Sequence, residues 1–175
     1  KIPENKTLQE LFEWRFSRTP DSVAHKFLDR ETTYKELNNY SNQVANGLIE
    51  LGCKPDTRIA YYGKNSDFFF EVLIGTLKSN TVTVGVNWRL APPEVSYVLN
   101  DSESEVLFVG ADFYPVIDQI LEDLPKIKKV VAIDGGHENY QDYISWRNSQ
   151  NSANPEIKSS PNDDILQLYT SGTTG

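Results

Sequence analysis

The sequence predicts an α/β fold, in which a mainly parallel sheet of βαβ units is flanked by helices. Three observations predict this class. Short apolar runs typical of strands alternate along the chain with amphipathic segments of helical spacing. Thr7-Leu8-Gln9-Glu10 and Thr33-Tyr34-Lys35-Glu36 have the spacing of helix capping boxes. The last apolar run leads into a cluster of glycines and hydroxyl residues, and parallel sheets bind their ligands at such carboxyl ends of strands.

The N-terminal part of the chain predicts two helices separated by a β-hairpin. The first helix begins after Thr7 and ends at Thr19-Pro20-Asp21. Its predicted apolar face consists of Leu8, Leu11, Phe12 and Phe16. Residues 23–28 and 31–33 are predicted strands joined by a tight turn at Asp29-Arg30. The second helix begins after Thr33 and ends at Gly52, and its predicted buried stripe is Leu37, Ser41, Val44, Ala45, Leu48 and Leu51.

The rest of the chain alternates between strands and helices, as right-handed βαβ crossovers require. The predicted strands are residues 58–62, 82–86, 106–109, 129–133 and 164–169. The predicted helices are residues 67–78, a helix from Pro92-Pro93-Glu94 to Leu99, a helix capped by Asp112, and residues 140–147. Asn80 is predicted to form the left-handed cap of the 67–78 helix, because asparagine tolerates positive φ. Residues 148–162 are polar and contain two prolines, so they are predicted to form an exposed connector.

Composition argues against several classes of function. A net charge of −8 is unsuited to nucleic acid, which needs clustered lysines and arginines. The single cysteine, Cys53, cannot form an internal disulfide and is typical of a reducing compartment, so we expect a cytoplasmic protein. The most apolar stretch, residues 68–77, is about half as long as a membrane-spanning helix, so no transmembrane segment is expected. The sequence leaves the oligomeric state open.

The loop at the end of the chain carries the strongest functional signal. Glycines allow successive backbone N–H groups to turn towards one point and form a nest that binds anions. The predicted phosphate-binding residues are Thr170, Ser171, Gly172, Thr173, Thr174 and Gly175, of which the four hydroxyls can donate to phosphate oxygens. The loop is neither a Walker A motif nor a dinucleotide fingerprint. The alternative interpretation is a disordered linker, and the position directly after an apolar strand favours phosphate binding.

Several segments together resemble the adenylate-forming (AMP-binding) superfamily of acyl-CoA synthetases, beetle luciferases and peptide-synthetase adenylation domains. Tyr169-Thr170-Ser171-Gly172-Thr173-Thr174-Gly175 matches the signature of this superfamily. Thr33-Tyr34-Lys35-Glu36-Leu37 is similar to its early helix-start motif. Asn87-Trp88-Arg89-Leu90-Ala91-Pro92, followed by Leu99-Asn100-Asp101-Ser102, is similar to the acyl-CoA synthetase or fatty acid–CoA ligase branch. The chain departs from the family pattern at Asn80, where glycine is usual, and at Gly85, where proline or another small residue is commoner.

The resemblance implies both a fold and an activity. Residues 1–175 would form the N-terminal portion of the large AMP-binding domain of a longer protein. That protein would use ATP and Mg²⁺ to convert a carboxylic acid, here a fatty acid, to acyl-AMP, and then transfer the acyl group to CoA. The loop would hold the β- and γ-phosphates of ATP. The alternatives are an aryl-CoA ligase, a luciferase-like member, or a non-catalytic phosphate-binding α/β module.

The sequence is also expected to be incomplete as an enzyme. It contains no methionine and stops in a loop that a helix normally follows. The resemblance places the adenine, CoA and acyl pockets beyond Gly175, so the isolated chain is expected to be inactive. No catalytic residue and no metal ligand is assigned within it.

Other chemistry-bearing residues have simpler structural interpretations. Trp88 and Arg89 are predicted to stack on each other rather than to bind substrate. His25 lies in a predicted strand and His137 in a glycine-rich loop, and neither has an obvious metal or catalytic companion. Cys53 has no histidine nearby in the sequence, so it is not predicted to be a nucleophile.

Overall fold

The computed structural model describes residues 1–4 and 6–170, and the chain divides into two compact units. The first unit consists of residues 1–56, 65–81 and 147–164. The second unit consists of residues 57–64 and 82–146 and of the chain from Ile165 onward. Each unit contains a hydrophobic core of its own.

The helices and strands follow the predicted alternation. The helices are α1 (Leu8–Arg18), α2 (Tyr34–Glu50), α3 (Asp67–Ser79), α4 (Pro92–Asp101), α5 (Tyr114–Ile120) and α6 (Tyr143–Asn148). The strands are β1 (Val23–Phe27), β2 (Arg30–Thr33), β3 (Arg58–Tyr62), β4 (Val82–Val86), β5 (Val106–Val109), β6 (Lys129–Ala132), β7 (Gln141–Asp142) and β8 (Leu166–Leu168).

The second unit is built on a six-stranded sheet in the order β7-β6-β5-β3-β4-β8. Every neighbouring pair of strands in this sheet runs parallel. The central strands β3 and β5 are buried almost throughout, as is typical of strands in parallel sheets. The predicted α/β fold with a mainly parallel sheet is confirmed.

Strands and helices of the second unit share one hydrophobic core. Helix α4 buries Val95, Val98 and Leu99, which recur at helical spacing. The other buried members of this core are Ala60, Tyr62, Val84, Val86, Leu107, Val109, Tyr114, Ile117, Ile120, Leu124, Ala132 and Tyr140. Because close-packed cores tolerate little displacement, this packing fixes the positions of the strand ends.

The first unit contains α1, α2, α3 and the antiparallel hairpin β1–β2. Helix α2 begins with the predicted capping box, in which the Glu36 N–H donates to Thr33 Oγ1 at 3.1 Å and the Thr33 N–H donates to Glu36 Oε1 at 3.0 Å. Helix α3 lies very close to α2 at Gly75, where an added Cβ would be 2.5 Å from Val44 Cγ1. The small residue therefore permits the contact between the two helices.

The predicted helix ends are also confirmed. Asn80 follows α3 with φ 57° and ψ 32°, and its N–H donates to the Leu77 carbonyl at 3.3 Å. Gly52 follows α2 with φ 82°. Asparagine is one of the few residues other than glycine that adopt this conformation readily, so the turn forms without the glycine that is usual there.

Lys78 and Arg147 are buried cations of the first unit, and each forms an ion pair. The Lys78 ammonium contacts the Glu13 carboxylate, and its side chain is 2% exposed. Burial lowers the pKa of Lys78, while Glu13 acts in the opposite direction. The second pair joins Arg147 Nη1 to Glu71 Oε1 at 2.7 Å. Buried charges of this kind depend on their partners, because an unpaired charge in a protein interior is costly.

The polar connector of residues 148–162 is largely exposed, as predicted, but it is hydrogen-bonded to two helices of its unit. Asn46 Nδ2 on α2 donates to the carbonyls of Asn151 and Ala153 at 2.7 and 2.8 Å. Gln9 Nε2 on α1 donates to a third connector carbonyl at 2.7 Å. Side-chain amides thus satisfy backbone groups that lack partners in regular structure.

Leu8 belongs to the predicted apolar face of α1 and is 39% exposed at the first position of the helix. One prediction in the N-terminal part is wrong. The hairpin turn consists of Leu28 and Asp29 rather than Asp29-Arg30, because Arg30 already pairs with Phe27. In the predicted stripe of α2, Leu51 is half-buried and the five other residues are buried.

Three predictions in the rest of the chain also need correction. Asp112 does not cap a helix, because it lies inside a 3₁₀ turn, Ala111–Phe113, that precedes α5. The predicted helix at 140–147 begins only at Tyr143, since Gln141–Asp142 pair with β6 as strand β7. Helix α4 continues to Asp101, two residues beyond its predicted end.

Candidate phosphate-binding site

Thr170, the first hydroxyl residue of the predicted phosphate loop, lies two residues beyond β8 and is exposed. The other predicted residues of the loop lie outside the described part of the chain: Ser171, Gly172, Thr173, Thr174 and Gly175. Strand β8 runs parallel to β4, with Leu168 beside Gly85. Thr170 therefore lies at the carboxyl edge of the sheet, where parallel sheets bind their ligands.

The other five strands of the sheet also end at this edge, because all neighbouring pairs run parallel. The register places Tyr62 beside both Val86 and Val109, so the chain leaves β3, β4 and β5 at one level. The Gly110 N–H donates to the Tyr62 carbonyl at 2.9 Å. A Cβ on Gly63 would be 3.4 Å from the nitrogen of Gly110. The loops after β3 and β5 thus lie close together, and the loop after β4 faces the start of the phosphate loop.

A pocket of about 340 Å³ opens at this edge of the second unit. Its lining residues are Asn87, Leu90, Pro93, Glu94, Tyr97, Val98, Tyr169 and Thr170. Two polar side chains of this lining stabilise the local backbone. Glu94 Oε2 accepts from the Ala91 N–H at 2.8 Å, and Asn87 Oδ1 accepts from the Arg89 N–H at 3.0 Å. We therefore assign neither side chain a proton transfer.

Tyr169 connects β8 to the end of α4 through its hydroxyl group. The hydroxyl donates to Asp101 Oδ2 at 2.6 Å and accepts from Gln167 Nε2 at 3.0 Å. Gln167 Oε1 in turn accepts from Arg58 Nε at 2.9 Å. Burial and the bond to the Asp101 carboxylate raise the pKa of Tyr169 to about 12. The hydroxyl therefore keeps its proton and remains a donor at neutral pH.

The sequence alone gives no separate role to Tyr169 or Asp101. Tyr169 ends a predicted strand and is the first residue of the loop motif, and Asp101 is part of a segment that resembles one branch of the superfamily. The two residues are 68 positions apart. A tyrosine before the loop and a carboxylate at a helix end are visible in the sequence, but only the fold pairs them.

Trp88 and Arg89 follow β4 and stack as predicted. The Arg89 guanidinium lies 4.4 Å from the centroid of the Trp88 ring, and the Lys64 ammonium lies 5.4 Å from it. Lys64 also pairs with Asp112 at 3.3 Å, and the Trp88 and Phe113 rings are 6.3 Å apart. These contacts give the pair a structural role in the loop after β4.

The two histidines differ from each other. His137 Nε2 lies 2.8 Å from Asp118 Oδ1, and its ring stacks on Tyr140 with centroids 3.6 Å apart. Burial lowers the pKa of His25, and the Asp67 carboxylate acts in the opposite direction. Cys53 is buried. None of these residues lines the pocket beside Thr170.

Residues 1–4 and 6–170 contain no group of three or more His, Cys, Asp or Glu side chains that could hold a metal ion. Across the same ranges, no helix combines the length and the apolar character that crossing a bilayer requires.

Comparisons with known proteins agree with this architecture. The model of the AMP-binding enzyme family matches residues 12–175. The chain is 36% identical over 174 residues to the fatty acid–[acyl-carrier-protein] ligase ScoC of Streptomyces coeruleorubidus, an alignment that covers 99% of this chain and 32% of ScoC. It is 28% identical over 173 residues to the medium/long-chain-fatty-acid–CoA/3-oxocholest-4-en-26-oate–CoA ligase of Mycolicibacterium smegmatis, covering 96% of this chain and 31% of that one.

A solved structure shows the same fold. The anthranilate CoA ligase AuaEII, in complex with anthranoyl-AMP, superposes with a TM-score of 0.91 at 29% identity, covering 99% of this chain and 34% of that chain. The chain spans about a third of the length of the two curated relatives described above.

Proposed function

The chain belongs to the AMP-binding enzyme family, and on this basis we propose that the complete protein activates a carboxylic acid with ATP. In the first step a carboxylate oxygen attacks the α-phosphorus of ATP. The acyl–O–P bond forms while the bond from the α-phosphorus to the pyrophosphate oxygen breaks. In the second step the sulfur of a thiol attacks the acyl carbonyl, the C–O bond to AMP breaks, and the thiol proton passes to solvent.

The phosphate loop supplies the chemistry that this chain would contribute. The first step brings an anionic nucleophile towards a polyanionic phosphate chain, so positioned donors must offset the repulsion. The observation that carries the proposal is the location of Thr170 at the carboxyl edge of the parallel sheet. We propose that Thr170, Ser171, Thr173 and Thr174 hold the β- and γ-phosphates. Gly172 and Gly175 would let the loop fold over them and move aside when pyrophosphate leaves.

Mg²⁺ would enter this site as a partner of the triphosphate. The described residues offer no cluster of acidic or histidine side chains that could hold the ion independently. We therefore propose that the ion reaches the site on the phosphates of ATP, where it would neutralise part of their charge.

The proposed substrates are a fatty acid and CoA. ScoC is a fatty acid ligase, and the Mycolicibacterium smegmatis relative is a ligase of fatty acids and CoA. Two alternatives have specific support. AuaEII is an anthranilate CoA ligase, which favours an aryl acid, and ScoC transfers to an acyl carrier protein, which favours a protein-bound thiol.

A panel assay of the intact protein tests the reaction class and the substrates together. Carboxylate-dependent exchange between ATP and pyrophosphate should occur with fatty acids, and thioester should form with CoA. Exchange with benzoate-type acids alone would show that the substrate is an aryl acid and not a fatty acid. Thioester formation only on an acyl carrier protein would show that this protein, and not CoA, accepts the acyl group. No exchange with any acid would contradict the proposed function.

The role of the loop is tested by Thr170→Val, which keeps the shape of the side chain and removes its hydroxyl. Because a hydrogen bond to a charged group contributes about 1.5–3 kcal/mol, we expect KM for ATP to rise by about tenfold or more, with KM for the acid little changed. Thr19→Val is a matched control, since the Thr19 hydroxyl is buried without a hydrogen-bond partner among the described residues. Equal ATP kinetics in the two variants would contradict the assigned role.

A further inference from the structure

We propose that Tyr169 is a positioning residue, which fixes the start of the phosphate loop through hydrogen bonds to Asp101 and Gln167. This inference rests on the proposed function, because it gives the side chain a part in ATP binding. The three residues belong to the same unit, and the bonds between them measure 2.6 and 3.0 Å.

The backbone of the sheet holds the chain only as far as Leu168. The last register pair between β4 and β8 joins Gly85 to Leu168. Tyr169 and Thr170 therefore lie beyond the ladder that fixes the rest of the strand. The hydrogen bonds of the Tyr169 side chain therefore hold the chain in place one residue further, up to the neighbour of Thr170.

Both the ring and the hydroxyl group of Tyr169 are held by neighbouring residues. Its ring packs against the hydrophobic core of the second unit and lies edge-on to Tyr97, with centroids 6.5 Å apart. Its hydroxyl is bound on one side by Asp101, the last residue of α4, and on the other by Gln167 in β8. A ring held by packing and a hydroxyl held by two partners have little rotational freedom.

The hydrogen-bond chain continues into the centre of the sheet. Gln167 Oε1 accepts from Arg58 Nε at 2.9 Å, and Arg58 is the first residue of β3. The end of α4 and two strands are therefore connected through Tyr169. Because immobilising a residue at the moment of binding costs free energy, holding the neighbour of Thr170 in place beforehand favours tighter ATP binding.

Tyr114 provides a control for a purely structural role. Its hydroxyl also makes two hydrogen bonds in the second unit, donating to the Gly135 carbonyl at 2.8 Å and accepting from the Asp134 N–H at 3.2 Å. Tyr114 is buried and does not line the pocket beside Thr170. Tyr114→Phe therefore removes a hydroxyl with the same hydrogen-bonding pattern at a place that does not touch the loop.

The experiment uses the intact protein with Tyr169→Phe, Asp101→Ala, Asp101→Asn and Tyr114→Phe. We measure KM for ATP, KM for the acid and kcat by pyrophosphate exchange, together with the thermal midpoint. Tyr169→Phe and Asp101→Ala should each raise KM for ATP by about three- to tenfold, and the double variant should be no worse than either single one. Asp101→Asn should stay close to the wild type, because the amide oxygen still accepts from the tyrosine hydroxyl.

The kinetic pattern decides between positioning and simple stabilisation. In Tyr114→Phe the thermal midpoint should fall as much as in Tyr169→Phe, while KM for ATP should remain that of the wild type. Wild-type KM for ATP in Tyr169→Phe, or an equal rise in both variants, would overturn the positioning role.

Direct titration of the same proteins with ATP separates this inference from the proposed function. If the wild type binds ATP more tightly than Tyr169→Phe but shows no exchange with any acid, the positioning role stands and the proposed reaction fails. If the wild type shows exchange and binds ATP no more tightly than the variant, the reaction stands and the positioning role fails. A wild type that binds no ATP overturns both.

Discussion

In the ion pair between Lys78 and Glu13, Lys78 depends more on its partner than Glu13 does. Lys78 is 2% exposed at its side chain, whereas Glu13 is 36% exposed. Glu13 Oε1 also accepts from Asn154 Nδ2 at 3.1 Å. If Lys78 is removed, the Glu13 carboxylate still has Asn154 and water. If Glu13 is removed, the ammonium remains in the interior without its carboxylate.

We therefore expect Glu13→Ala to destabilise the protein by about 3 kcal/mol and Lys78→Met by no more than about 1 kcal/mol. Urea unfolding at neutral pH compares the two variants directly. A larger loss in Lys78→Met would contradict the asymmetry.

The pH dependence of Glu13→Ala gives a second measurement of the same effect. Burial already lowers the pKa of Lys78 in the folded protein, and removing Glu13 leaves that effect unopposed. The unfolded chain then binds a proton that the folded variant excludes, over the range between the lowered pKa and the ordinary value of 10.5. The free energy of unfolding of Glu13→Ala should therefore rise with pH relative to the wild type across that range. A difference that is constant with pH would contradict this account.

The close packing of helix α3 against helix α2 depends on Gly75. An added Cβ at Gly75 would lie 2.5 Å from Val44 Cγ1 and 3.3 Å from the Ser41 carbonyl oxygen. Both neighbours belong to α2, so any side chain at this position of α3 pushes against the facing helix. The contact is visible in the sequence only as a glycine inside a helical pattern, which propensity alone would count as unfavourable.

Gly75→Ala should therefore destabilise the protein by about 1–3 kcal/mol, even though alanine favours the helix by about 1 kcal/mol over glycine. Adding Val44→Ala should recover part of that loss, because it removes the atoms that the new Cβ meets. Unfolding free energies of the two single variants and the double variant give the coupling between the positions. If the changes in unfolding free energy of the two single variants simply add, or if Gly75→Ala stabilises the protein, the helices adjust to the added methyl group without strain.

Most elements were predictable because their signals are local. The strands β3, β4 and β5 have the predicted bounds, and the capping box at Thr33 starts α2 where expected. Strand β7 was not predicted, since two residues carry no periodicity and Gln141–Asp142 become a strand only by pairing with β6. The hydrogen bonds of the connector at residues 148–162 were not predicted for a similar reason. Their partners on α1 and α2 are more than 100 residues away in the sequence.

At the scale of the whole molecule, the carboxyl ends of the six parallel strands lie at one edge of the sheet. Loops that follow β3, β4, β5 and β8 emerge there, although they are widely separated in the sequence. Neighbouring loops could therefore complete a site around the loop that we propose binds phosphate.

The chain by itself is expected to show no acid-dependent exchange between ATP and pyrophosphate. It spans about a third of the length of the two curated relatives compared above, so we expect most of the acyl and nucleotide contacts to lie elsewhere. The purified chain is assayed beside the intact protein at equal molar concentration. Exchange by the chain that depends on the acid would show that these residues suffice for adenylation.

The sequence by itself determined the class of fold, the starts and ends of most helices, and the position of the phosphate-loop motif after a strand. These features depend on residues a few positions apart, such as Thr33 with Glu36, and such interactions are legible in the order of the residues. The tertiary structure alone decided that Tyr169 meets Asp101, that Lys78 meets Glu13 and that Gly75 meets Val44. Each of those contacts joins parts of the chain far apart in sequence, and packing rather than local preference brings them together.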